Sequence, residues 1–232
     1  MSALAGRLAL VTGGSRGIGA AIAAAFRDAG ATVVRVARTL PAEFHDGMHD
    51  LPCDVSDPAA VAGLAADVLA RIGVPDIVVN NAGVFERIPF EQAEPAELAR
   101  QLAVNLVGAF AVARGFLPAM RARGSGVLVT VGSIADHVAF PENTIYSATK
   151  YGLRGLHETL AAEYRGTGVR CVLVSPGPTD TGLWDSMDPD NRPGFVPRRV
   201  MLRPADVAEA VLFVATRPPH VHVDWLRLGP AL

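Results

Sequence analysis

The feature that most constrains this chain lies near its N-terminus. An apolar run at residues 8–12 leads straight into Thr12-Gly13-Gly14-Ser15-Arg16-Gly17-Ile18-Gly19, and an alanine-rich helical stretch with Ile18, Ile22 and Phe26 on its apolar side follows over 17–29. A buried strand turning through glycines into a helix leaves the first helical N–H groups and the positive dipole end free. Glycine lets the backbone turn sharply and lets a pyrophosphate approach closely. The spacing Gly13-x-x-x-Gly17-x-Gly19 is one residue longer than the common dinucleotide fingerprint. A tight turn without a ligand is the alternative; the position directly after the first strand argues for the anion site.

The alternation continues along the chain. Residues 32–37, 76–80, 126–131 and 170–174 are short runs rich in Val, Leu or Ile, separated by helical stretches at 58–72, 95–123 and 146–165. Strands apolar on both faces with helices between them are the pattern of a parallel sheet covered on two sides. No Pro/Gly/Ser-rich linker and no repeat divides the 232 residues, so one doubly wound α/β domain over 1–232 is expected. Residues 38–54 break the rhythm: Pro41, Gly47 and Pro52 interrupt any helix, and a loop or single turn is expected. His45, Asp46, His49 and Asp50 there lack zinc-site spacing and read as solvated surface groups, so no metal is expected.

Half of the residues are hydrophobic and 19% are charged, which excludes a disordered chain. A net charge of -2 gives no basic field for nucleic acid and no polybasic membrane patch. Cys53 and Cys171 sit in apolar runs and read as two buried thiols rather than a disulfide. The start shows no signal-peptide pattern, and no run approaches ~18 consecutive apolar residues. The expectation is a cytoplasmic protein without membrane or nucleic-acid partners.

Tyr146 and Lys150 are one helical turn apart on the same face. A free phenol ionises near ~10, and a neighbouring ammonium favours the phenolate, making the residue a workable general acid or base. The alternative is a half-buried helix face with Lys150 solvated. Ser133 follows the 126–131 run and stands thirteen residues before Tyr146, where its hydroxyl can steady a substrate oxygen; a helix-capping serine is the competing reading. Asn105 lies among Val104, Leu106 and Val107 in a helical segment, an unfavourable place for asparagine without a specific partner.

Thr12-Gly13-x-x-x-Gly17-x-Gly19, Asn80-Asn81-Ala82-Gly83, Tyr146-x-x-x-Lys150 and Pro176-Gly177 occur in that order over the first four-fifths of the chain. With these motifs the sequence resembles the short-chain dehydrogenase/reductase family, in its single-domain branch. The resemblance implies a Rossmann-type fold and a hydride transfer, dependent on NAD(P), between a small-molecule carbonyl and a secondary alcohol. It implies that Tyr146 transfers the proton and that Lys150 lowers its pKa and binds the nicotinamide ribose. Ser133 orients the substrate, and Asn105 holds a water in a proton relay through the lysine.

The same resemblance assigns the cofactor contacts. Gly13, Ser15, Arg16, Gly17, Ile18 and Gly19 form the phosphate loop. Asp54 and Val55 face the adenine, Asn81, Ala82 and Gly83 line the adenosine ribose side, and Pro176, Gly177, Thr179 and Thr181 border the nicotinamide. The acid that would select NAD falls at Ala37; Arg38 follows it and Arg16 stands in the loop, so NADP(H) is favoured over NAD(H). A substrate loop is expected over about 182–200, holding Trp184, Met187, Phe195 and several arginines, with Val84, Phe85, His137 and Phe140 as pocket walls. The C-terminal end lacks the family's frequent Asp-Gly-Gly. A homodimer or homotetramer is expected through the apolar helices 95–123 and 146–165.

Overall fold

Eight strands form one sheet in the order β3-β4-β2-β1-β5-β6-β7-β8. The computed structural model describes residues 2–231. The strands are β1 (Leu8–Thr12), β2 (Thr32–Ala37), β3 (Glu43–His45), β4 (Met48–Pro52), β5 (Ile77–Asn80), β6 (Gly126–Val131), β7 (Val169–Pro176) and β8 (Trp225–Leu228). All pairings are parallel except β3 on β4. The helices are α1 (Gly17–Asp28), α2 (Pro58–Arg71), α3 (Pro95–Leu102), α4 (Ala109–Arg123), α5 (Thr144–Glu163) and α6 (Pro204–Ala215). This is the expected doubly wound, Rossmann-type α/β domain.

Each face of the sheet has its own core, because a parallel sheet must bury both. On one, Ile22 and Phe26 of α1 and Val207, Val211 and Val214 of α6 pack on Val11, Val33, Val129 and Val174. On the other, Val61 and Val68 of α2 and Val112, Phe116 and Met120 of α4 pack on Leu10, Val34, Val78 and Leu128. Cys53 and Cys171 are both free and buried, as expected.

Three segments depart from the sequence reading. Residues 38–54, expected as a loop or turn, form the β3–β4 hairpin, whose Asp46 and Gly47 carry φ of 47° and 75°. Positive φ at both central residues is the two-residue hairpin turn that matches strand twist. β3 returns the chain along the sheet edge, so β4 lies parallel to β2 without a crossover helix. Asp50 there is buried rather than solvated: Arg35 Nε donates to it at 2.7 Å, and His45 Nε2 lies 3.1 Å away. Glu43, His45 and Asp50 converge, but the guanidinium of Arg35 already fills the carboxylate of that cluster.

β8 lies in a C-terminal stretch where no strand was expected. The third departure is inside the long helical run. Residues 95–123 form one rod, but Ala103–Gly108 between α3 and α4 is wound as a π-helix around Asn105. That rod is long and apolar enough to cross a bilayer by composition, yet its Val112, Phe116 and Met120 side lies on the sheet. A Cβ at Gly108 would stand 2.7 Å from the Val55 carbonyl oxygen, so glycine sets how closely the rod approaches.

Candidate active site

β1 pairs with β2 on one side and β5 on the other, so the strand order reverses at their carboxyl ends. In open α/β sheets that switch point opens a crevice for ligands. Here it opens a cavity of about 720 Å³.

One end of the cavity is the glycine turn. Gly13 and Gly17 take φ of 67° and 56°, a region costly for residues with a Cβ. A Cβ at Gly19 would lie 2.1 Å from the Gly13 carbonyl oxygen, so the turn closes only on glycine. Asn81 pins it from β5: its Nδ2 donates to Thr12 O at 2.9 Å, and its N–H donates to Thr12 Oγ1 at 3.0 Å. No side chain caps α1, whereas Asp57 accepts from Ala59 and Ala60 at the start of α2. The free N–H groups of α1 therefore face the cavity beside Ser15 and Arg16, the setting that binds phosphate. This cradle fits the pyrophosphate of a dinucleotide.

Arg38, Asp54 and Val55 line the same end, and Ala37 brings no carboxylate. The Ser56 hydroxyl (2.7 Å) and amide (3.0 Å) both donate to Asp54 Oδ1. They, with Arg38 more weakly, hold the Asp54 carboxyl below the usual range. Ala82, Gly83, Pro176, Gly177, Thr179 and Thr181 complete the long wall. Of these, Thr179 is buried and its hydroxyl donates to Gly177 O at 3.0 Å.

At the other end Ser133, Tyr146 and Lys150 converge. Ser133 caps the short turn Ile134–Asp136 through the Ala135 N–H, at 3.1 Å, and its hydroxyl favours ionisation of the Tyr146 phenol. The capping role is thus present in a side chain that also lines the cavity. Lys150 Nζ donates to Val131 O at 3.1 Å and stands 5.7 Å from the Tyr146 ring centre.

The protein by itself does not make the phenol acidic. Burial pushes Tyr146 up to about 12, against the pull of the Ser133 hydroxyl and with a further push from Asp136. Burial pulls Lys150 down to about 8, while Asp136 works the other way. Desolvation disfavours both charged forms, the phenolate and the ammonium alike.

Asn105 does not line the cavity. It is buried behind Val84, donating to Val84 O at 2.9 Å and Thr149 Oγ1 at 3.0 Å and accepting from Val84 N at 2.8 Å. Thr149 in turn donates to Tyr146 O at 2.8 Å. His137 is likewise outside the lining, whereas Val84, Phe85 and Phe140 are in it.

The segment 182–200 covers this end with aromatic rings. Phe85 meets Tyr146 at 4.6 Å and Trp184 at 5.4 Å, and Trp184 reaches Phe195 at 6.3 Å. Arg198 ties the segment down, donating to Asp180 just before it at 2.6 Å and to Asp185 within it at 2.5 Å. Arg87 was missed in the sequence: its guanidinium stacks on Phe195 at 4.2 Å, pairs with Glu142 at 3.1 Å, and its Nε is buried without a partner.

Known proteins share this architecture. The sequence profile of the family described as short chain dehydrogenase matches residues 7–192. A D-threitol dehydrogenase of Mycolicibacterium smegmatis is 36% identical over 226 residues, covering 92% of this chain and 87% of that protein. A metagenomic short-chain oxidoreductase solved in complex with NADP has a TM-score of 0.82 and 33% identity, with 100% of both chains covered. An alcohol dehydrogenase from the archaeon Thermococcus sibiricus, complexed with 5-hydroxy-NADP, has a TM-score of 0.84, 29% identity and 97% of each chain covered. With the glycine cradle and the Ser133–Tyr146–Lys150 corner in one cavity, these likenesses place the chain in the short chain dehydrogenase family, NAD(P)-dependent oxidoreductases acting on CH–OH groups.

Proposed function

We propose that this protein interconverts a carbonyl and a secondary alcohol with NADP(H) in preference to NAD(H). The observation that carries the reaction is the meeting of Ser133, Tyr146 and Lys150 at one end of a cavity whose other end is a phosphate cradle. The bound nicotinamide supplies or accepts the hydride. Tyr146, neutral at physiological pH, donates its phenolic proton to the carbonyl oxygen during reduction and takes it back during oxidation. The Ser133 hydroxyl orients that oxygen and steadies its developing charge. Lys150 holds the nicotinamide ribose and refills the proton on Tyr146. Asn105 supports the relay from behind, by holding Val84 and the Thr149 turn between the two.

Arg16 and Arg38, together with the missing acid at Ala37, support the NADP(H) preference. The neighbours solved with NADP and 5-hydroxy-NADP favour the same reading. The aromatic cover of 182–200 suits a small substrate held away from water, and the polyol dehydrogenase relative puts polyols first in a substrate panel. Exposed Val107, Phe110 and Tyr151 on the long rod and α5 suit a homodimer or homotetramer.

A panel of aldehydes, ketones and polyols with NADPH/NADP+ and NADH/NAD+ tests the reading. Tyr146→Phe is expected to lower turnover by ~10²-fold or more while cofactor still binds; full activity in that variant refutes the chemistry. Arg38→Asp is expected to weaken NADPH by about 1–3 kcal/mol and to level or reverse the preference. Equal affinities for the two cofactors in the unaltered protein count against it.

A further inference from the structure

Behind Ser133 lies a polar cluster that the proton transfer does not use. Asp136 is fully enclosed, at 0% exposure. Its Oδ2 accepts the Ser133 N–H at 3.1 Å and the Ser175 hydroxyl at 2.6 Å, and its Oδ1 faces His137 Nδ1 at 2.6 Å. Trp225 Nε1 donates to Ser175 Oγ at 2.9 Å and meets the His137 ring edge-on at 5.2 Å. One carboxylate thus ties together the ends of β6, β7 and β8.

A buried carboxylate is costly unless donors surround it, and this one has three. The fold has made room for it: a Cβ at Gly132 would lie 2.3 Å from Asp136 Oδ2 and 2.9 Å from Ser175 Oγ. Asp136 and Ser133 cap the turn reciprocally, but capping does not account for the further bonds of Asp136 to Ser175 and His137.

We propose that Asp136 is a positioning residue for proton transfer: it fixes the main chain of Ser133 against β7 and places its carboxylate behind Tyr146 and Lys150. This rests on Tyr146 being the proton-transferring residue. The charge keeps the proton on both groups, opposing loss from the phenol and from the ammonium. Other charged or titratable groups facing Asp136 are His137 on its own turn and Arg154 on α5. Arg227 of β8 reaches the cluster through the Trp225 ring, at 4.7 Å.

The test compares Asp136→Asn, Asp136→Glu and wild type in two measurements. One is the tyrosinate absorbance titration with the Tyr146→Phe curve subtracted. The other is the pH profile of turnover on whichever panel compound reacts. Asp136→Asn is expected to move the Tyr146 ionisation down by roughly half to one pH unit. Its kcat is expected to fall about tenfold, with KM changed by less than about threefold. Asp136→Glu, which keeps the charge but displaces it, is expected to restore the titration without restoring kcat.

A folded Asp136→Asn protein with the wild-type titration overturns the proposal, even if its melting temperature has dropped. If Asp136→Asn does not fold, Ser175→Ala and His137→Gln each remove one donor, and a kcat loss of about twofold to fivefold with a shifted profile is expected. Wild-type behaviour in both overturns the proposal equally. Full activity in Tyr146→Phe instead removes the reading beneath it.

Discussion

Replacing Lys150 with methionine is expected to stabilise the ligand-free protein while abolishing turnover. Lys150 is 5% exposed, and its ammonium ionises at about 8 rather than the ordinary 10.5, chiefly because burial strips its water. Below about 8 both folded and unfolded chains hold the proton, and the folded state carries the whole penalty of the buried charge. Between about 8 and 10.5 the folded chain has released a proton that the unfolded chain keeps, so stability rises with pH across that window. A displacement of that size is worth ~3 kcal/mol at neutral pH. Methionine has nearly the same shape and no charge, and it leaves Val131 O without the donor now 3.1 Å away, a loss of about 1 kcal/mol. The net gain is about 2 kcal/mol, or roughly 4–8 °C in melting temperature for a chain of this length. Urea unfolding at pH 7 and pH 9.5 checks both parts: wild type gains stability over that interval and Lys150→Met does not. A variant less stable than wild type at pH 7 refutes the reasoning.

Two further outcomes follow from the same physics. Gly19→Ala is expected to abolish cofactor binding and lower stability by about 2 kcal/mol or more, since its Cβ meets the Gly13 carbonyl at 2.1 Å and Asn81 Nδ2 at 2.5 Å; fluorescence titration with NADPH and thermal melts read both, and wild-type affinity contradicts it. His157 is buried with Nε2 unpartnered and ionises at about 4 rather than 6.5, mainly from desolvation, so stability it contributes above pH 6.5 is lost as pH falls towards 4. His157→Phe is expected to remove about 2 kcal/mol of the loss between pH 6.5 and 5 in urea titrations; parallel acid sensitivity in both proteins counts against it.

The elements with one dominant local signal were legible from the residues. β1, β2, β6 and the helices packed on them are apolar at the right period, and tertiary packing had no reason to override them. The cavity residues were legible because glycine turns and the Tyr146–Lys150 pair need fixed spacings. The hairpin was missed although Asp46-Gly47 is the short-range hairpin signal, because Pro41 and Pro52 and the charged β3 masked it. β8 was missed because only four residues pair and their partner is distant in sequence. Arg87, Asp136 and Trp225 carry no motif at all: their significance arises from strand ends that only the folded sheet brings together.

The hairpin also bears on what the site needs from its surroundings. A parallel neighbour for β2 ordinarily requires a crossover helix, yet β4 reaches that place through a three-residue antiparallel strand at the sheet edge. Five residues of β4 pair with β2, from Val33–Met48 to Ala37–Pro52. That register delivers Cys53, Asp54 and Val55 to the cavity directly beside Arg38. This end of the cavity therefore depends on where the strands finish, not on how the chain travels between them. The Arg35–Asp50 pair joins β2 to β4 directly, through a largely buried guanidinium between paired positions of the two strands. Arg35 also packs under the glycine turn, its Cβ 3.0 Å from a Cβ built on Gly14. The same residue thus contacts both the sheet-edge pair and the glycine turn.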